Sequence, residues 1–122
     1  MIRSSAASIK PFVTKDGSII QELMHPKEHG NKNASLAKAV VPPGKSTFSH
    51  SHAQSEEMYF FLSGTGKMAL ADENFLVKSG DTVLIAPGQA HSVTNSGTKD
   101  LVFLCVCAPA YSHQDTFLCE EK

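Results

Sequence analysis

Residues 44–95 read GKSTFSHSHAQSEEMYFFLSGTGKMALADENFLVKSGDTVLIAPGQAHSVTN, and this stretch decides the fold. Its pattern has period two. Phe48, His50 and His52 share one face of an extended segment, and Glu57, Tyr59 and Phe61 share one face of the next. The other face of that second strand holds Met58, Phe60 and Leu62, so it is apolar on both sides and needs cover from a second sheet or another subunit. Homodimerisation through sheet faces is the simplest cover.

Toward the C-terminus, Gly64-Thr65-Gly66 turns the chain, and Lys67–Ala71 pairs with Phe75–Lys78 across Asp72-Glu73-Asn74. Ser79-Gly80-Asp81 leads into a strand over Thr82–Ala86, which Pro87-Gly88 interrupts before Ala90–Asn95 resumes it, with His91, Val93 and Asn95 on one face. Leu101–Ala108 is again apolar on both faces. The tail, Pro109–Lys122, alternates Tyr111, His113, Asp115 and Phe117 and is either one more strand or an extended lid.

Toward the N-terminus, Pro42-Pro43-Gly44 stops a strand over Ser35–Val41, in which Lys38 is read as solvated. Lys27–Asn33 is a polar surface loop, with His25 and His29 at its margins read as exposed. Ser18–Met24 is a strand after an Asp16-Gly17 turn, Ile9–Phe12 a short edge strand that tolerates Pro11, and residues 1–8 a flexible terminus. About nine short strands, frequent Gly and Pro turns and no convincing helix indicate an all-β sandwich or barrel.

The 122 residues make one domain, 1–122, with 41% hydrophobic and 19% charged residues, as in a folded globular chain. A net charge of -1 without any Lys or Arg cluster gives no footprint for nucleic acid or an anionic membrane. No stretch resembles a signal-peptide core or approaches the ~20 apolar residues of a membrane span, so a cytoplasmic protein is expected. Three cysteines are an odd count there, and Cys105 and Cys107, on one strand face, are read as buried apolar thiols.

Against this background His50, His52, Glu57 and His91 need a reason. Imidazoles at i and i+2 of a strand stand on one side within reach of a single ion, and Glu57 adds an anionic oxygen from a neighbouring strand. His91 joins them only if the sheet closes or is sandwiched. Three neutral imidazoles with one carboxylate suit a divalent transition ion such as Fe, Mn, Co, Ni, Cu or Zn better than Mg or Ca. The competing interpretation is ordinary core or surface histidines near an unrelated glutamate.

The spacing Gly44-x5-His50-x-His52-x4-Glu57-x6-Gly64 resembles the first cupin motif. The segment GDTVLIAPGQAHSVTN resembles the second, with Gly80, Gly88, His91 and Asn95 in register. One departure occurs, in that the motif's first proline falls at Ala86 while Pro87 follows it. The resemblance implies a double-stranded β-helix (cupin, or jelly-roll) barrel, often dimeric, with His50, His52, Glu57 and His91 as ligands to Fe, Mn, Ni, Co or Zn. Glu56 is the alternative oxygen ligand, but the spacing to Gly64 selects Glu57, and alternation turns Glu56 away.

Four protein ligands on an ion that accepts six leave two positions for water or substrate. Phe48, Tyr59, Phe61, Met68, Leu70 and Val93 are candidates for an apolar wall, and Tyr59, Gln54 and Gln89 for polar or catalytic contacts. A metalloenzyme acting on a small chelating acid, keto or sugar-like substrate follows, as isomerase, decarboxylase or dioxygenase. The alternative is a non-catalytic cupin that binds or senses a small molecule.

Overall fold

The computed structural model describes residues 1–119. In chain order the strands are β1 (Phe12–Val13), β2 (Ile19–Met24), β3 (Ser35–Val41), β4 (His50–His52), β5 (Glu56–Ser63), β6 (Thr65–Leu70), β7 (Glu73–Lys78), β8 (Thr82–Ile85), β9 (His91–Asn95), β10 (Leu101–Ala108) and β11 (Thr116–Leu118). They form two antiparallel sheets, one ordered β1-β2-β3-β10-β5-β8 and the other β11-β4-β9-β6-β7. This is the all-β jelly-roll barrel expected from the sequence. No helix among the described residues is long and apolar enough to cross a membrane.

Alternation sorts the side chains. On β5, Glu57, Tyr59 and Phe61 are buried, while Met58 and Phe60 stay 42% and 40% exposed. Phe61 and Phe103 stack with ring centroids 5.1 Å apart, and Tyr59 lies 4.6 Å from Phe103, which ties β5 to β10 beneath the barrel floor. Met68, Leu70 and Val93 complete the core from the opposite sheet. The outer face of the larger sheet bears an apolar row in register, Leu84 to Met58 to Val106 to Leu36.

Two close approaches fix the corners. Gly64 has φ +88°, and a Cβ there would stand 2.6 Å from the Asp100 carbonyl, so only glycine fits. Buried Asn95 donates from Nδ2 to the carbonyls of Val41 (2.8 Å) and Lys99 (2.7 Å) and accepts from Gly97 N–H, clamping β3, β9 and the loop into β10.

Several sequence expectations are corrected. The segments at Thr82 and Ala90 are not one resumed strand, because the break at Pro87-Gly88 carries the chain from the larger sheet to the smaller. Phe48 does not share the face of His50 and His52, since residues 47–49 are irregular and its ring is 58% exposed. The loop expected at 27–33 begins with an α-helical turn, α1 (Pro26–His29), started by Pro26 and capped by His25. His25 is buried, its Nδ1 accepting from Lys27 N–H and its Nε2 2.7 Å from the Tyr111 carbonyl. The β6–β7 turn is Ala71-Asp72, one residue earlier than expected, with Ala71 at φ 53°.

Candidate metal centre

His50 and His91 are direct partners on neighbouring strands β4 and β9, with ring centroids 4.1 Å apart. His52 is two residues along the same face of β4. Glu57 comes from the other sheet, on β5, so the four side chains meet between the layers rather than along one. One ligand atom from each lies within 4.8 Å of all the others, and all four residues are buried. Bonds of about 2.0–2.2 Å to a common ion place opposed donors about 4 Å apart, so the cluster closes on an ion with small movements.

Hydrogen bonds assign the imidazole tautomers. His50 Nδ1 is 2.8 Å from the Phe48 carbonyl, and His91 Nδ1 is 2.9 Å from the Gln89 carbonyl, so both donate there. Thr116 Oγ1 gives its proton to the Ser112 carbonyl at 2.8 Å, which leaves it to accept from His52 Nδ1 at 3.1 Å. All three Nε2 lone pairs then face inward, each ring braced from behind as metal-binding histidines are.

Glu57 is braced similarly. Cys107 Sγ donates to Glu57 Oε2 at 3.2 Å, leaving Oε1 toward His52 Nε2 (3.2 Å) and His91 Nε2 (3.4 Å). Burial and then the Glu57 charge push the Cys107 thiol up, so it stays a donor. With neutral rings those two contacts are lone pair against lone pair, and Glu57 Oε1 and His91 Nε2 are buried atoms without a hydrogen-bond partner. Only a cation between them, a proton or a metal ion, satisfies them.

The charge response follows. Burial pushes the Glu57 carboxyl up, but in the metal-free protein the hydrogen bonds that His52 and His91 donate when they carry a second proton, and the positive field of those rings, outweigh it and hold the group at about 2. Burial lowers His50, with His91 adding to the effect, and the neighbouring Asp16 opposes it only in part. For His52 burial also lowers, yet its bond to Glu57 and the field of that carboxylate prevail and leave it raised.

A cavity of about 40 Å³ opens beside these ligands, room for about three waters. Of the expected wall and contact residues, only Tyr59 lines it. Phe61, Met68, Leu70 and Val93 are core behind the site. Gln54 is exposed, and its N–H binds the Asp115 carboxylate. Gln89 folds back, its Oε1 accepting from Ala86 N–H at 2.9 Å. Glu56 is exposed, as alternation required.

Sequence reasoning missed Asp16, Glu22, Cys107 and Thr116. Asp16 Oδ2 stands 3.3 Å from His50 Nε2. Thr14, Asp16, Ser18, Ile20 and Glu22 all line the cavity; alternation into β2 is the signal that could have found Ser18, Ile20 and Glu22, whereas Thr14 and Asp16 are brought in by the turn before that strand. The tail contributes through Thr116 and through Tyr111, whose ring meets His52 edge-on at 6.0 Å, while His113 is exposed.

Comparisons with known proteins point to a family. The family model described as "Cupin domain" matches residues 37–107. An uncharacterised protein of Methanocaldococcus jannaschii is 47% identical over 98% of this chain and 96% of its own length. The oxalate-binding protein of Thermotoga maritima is 35% identical, covering 70% of this chain and 67% of its own. The crystal structure of a predicted oxalate decarboxylase from Thermotoga maritima superposes with a TM-score of 0.76 at 28% identity, over 87% of this chain and 97% of that one.

Glu57→Gln probes the charge arrangement directly. A carboxylate at about 2 in the fold against 4.5 unfolded adds stability to the metal-free protein that is present above pH 4.5 while His52 keeps the proton that Glu57 helps it hold, and is lost as the pH falls toward 2. The urea midpoint of metal-free wild-type protein is therefore expected to exceed that of the variant at about pH 5, where His52 is still protonated, and to converge on it as the pH approaches 2. A gap that stays constant over that range would show that Glu57 is not held ionised.

Proposed function

This chain belongs to the cupin family, and from that premise we propose that it holds one divalent transition metal ion on His50, His52, Glu57 and His91 and acts on a small chelating molecule there. The observation that supports this most strongly is the pair of orphaned buried atoms, Glu57 Oε1 and His91 Nε2, among inward-facing Nε2 lone pairs. A structural zinc centre is usually closed by four ligands; here the ligand cluster borders a cavity. When bound, such an ion supplies Lewis-acid stabilisation for negative charge developing on an oxygen of the ligand.

The chain's own residues do the rest. The barrel core excludes bulk water beneath the site, and Tyr59, buried with its hydroxyl pushed up by burial and by Glu57, stays a neutral phenol. Asp16 Oδ2, beside His50, accepts a proton or a hydrogen bond from whatever occupies the neighbouring position. The relatives described as oxalate-binding and as a predicted oxalate decarboxylase support a small oxygen chelator as the ligand class. Isomerisation, decarboxylation and oxygenation all share this first step.

The proposal is tested by metal analysis of protein purified without added metal, followed by turnover and binding against keto acids, sugars and catechols. About one ion per chain is expected, falling at least tenfold in occupancy in His52→Ala along with any activity. Activity unchanged in that variant would sink the metalloenzyme account, and ligand binding without turnover would leave a carrier or sensor instead.

We further propose a homodimer through the outer face of the larger sheet. Met58, Phe60, Leu62 and Leu84 are all 40–58% exposed there, forming one apolar field with Leu36 and Val106. Sedimentation should give a dimer for the wild type and a folded, metal-containing monomer for Met58→Asp/Phe60→Asp. A wild-type monomer at tens of micromolar would exclude it.

A further inference from the structure

The cavity wall facing the metal ligands differs in charge from what a dicarboxylate needs. Besides Glu57 it holds two carboxyl groups, Asp16 and Glu22, and among the described residues no Lys or Arg lines it. The lysine next to Asp16 is turned away, with Lys15 Nζ donating to the Thr116 carbonyl at 2.8 Å. Lys38 alternates with the buried, inward Ala37 and Ala39 and so lies on the outer face of β3.

Each carboxyl group is placed, not merely nearby. Asp16 Oδ1 accepts from Thr14 Oγ1 (2.6 Å), Ser18 Oγ (2.6 Å) and Ser18 N–H (2.9 Å), which fixes the group and aims Oδ2 at the centre. Its turn is seated by Phe48 N–H donating to the Asp16 carbonyl at 2.7 Å, with Gly17 against the Phe48 ring. Glu22 Oε1 is buried and has no hydrogen-bond partner. It is therefore an acceptor in want of a donor, separate from the orphaned atoms of the metal cluster.

The charges decide between ligand classes. A divalent ion brings two positive charges to a site that already holds the three carboxyl groups of Glu57, Asp16 and Glu22. An oxalate dianion, even with both carboxylates on the metal, would add two negative charges to a cavity lined by carboxyl groups and by no Lys or Arg, and uncompensated buried charge is strongly unfavourable. A chelator that offers one oxygen anion to the metal and a hydroxyl or ammonium group to Asp16 or Glu22 adds one negative charge, or none net when the donor is ammonium, against two for oxalate, and gives Glu22 its donor.

We infer that the cavity takes a small hydroxy- or amino-carboxylate, with its donor group directed to Asp16 or Glu22, and discriminates against dicarboxylates. This rests on the metal-binding proposal above. The test is calorimetric titration of the cobalt(II)-loaded protein with glycolate, glycine and oxalate, metal stoichiometry being measured before and after. Glycolate or glycine is expected to bind at least tenfold more tightly than oxalate, although oxalate is the better chelator of free cobalt. Glu22→Gln and Asp16→Asn/Glu22→Gln should keep their metal and shift the preference at least tenfold toward oxalate.

Oxalate binding to the loaded wild-type protein as tightly as the other two would overturn the inference. So would metal-loaded protein that binds neither glycolate nor glycine, or a Glu22→Gln variant with unchanged selectivity. Failure to take up cobalt at all is a different result, which removes the metal-binding proposal itself and this inference with it.

Discussion

Four lone pairs directed at one buried point are the constraint on which the structure depends. His50, His52 and His91 present Nε2 and Glu57 presents Oε1 into a space from which bulk water is excluded. Without a cation the arrangement is unfavourable, because acceptors face acceptors at 3.2–3.4 Å. With one it is a preformed chelate, and each ligand already has a brace: backbone carbonyls for two histidines, Thr116 for the third, Cys107 for the carboxylate. Those braces fix direction as well as position, which is what separates a binding site from histidines that happen to be close.

The barrel exists to bring these groups together from distant parts of the chain. β4 and β9 supply the histidines as hydrogen-bonded neighbours although some forty residues separate them, and β5 supplies Glu57 across the layer gap. The joints that allow this are the glycine turn at Gly64, the sheet change at Pro87-Gly88 and the side-chain clamp of Asn95. The substitution of Ala86 for the motif's first proline leaves the turn intact, with Ala86 N–H instead donating to Gln89 Oε1. That bond, which a proline could not make, helps position the Gln89 carbonyl that receives His91 Nδ1–H.

Most of the fold and the gathering of His50, His52, Glu57 and His91 were legible because alternation and spacing are local signals. Phe48 was misplaced because alternation was extended past the true end of β4, into residues whose backbone is irregular. Gln54 and Gln89 were misplaced for a related reason: proximity in sequence to a ligand does not give the direction of a side chain. Asp16 and Glu22 were not recognised because a strand remote in sequence brings them in, and a DG turn already accounted locally for the aspartate. Tyr111 and Thr116 depend on a tail whose alternation of Tyr111, His113, Asp115 and Phe117 misleads, because the residue that β11 buries against β4 is Thr116 while Phe117 is exposed.

The thiol of Cys107 lies closer to Glu57 than a spectator would, and this makes the coordination shell the most direct point at which to challenge the account. X-ray absorption at the edge of the metal carried by the purified protein measures that shell. The structure predicts a shell of nitrogen and oxygen only, five- or six-coordinate, with outer-shell scattering from three imidazoles. Sulfur in the shell, or fewer than three imidazoles, would contradict it.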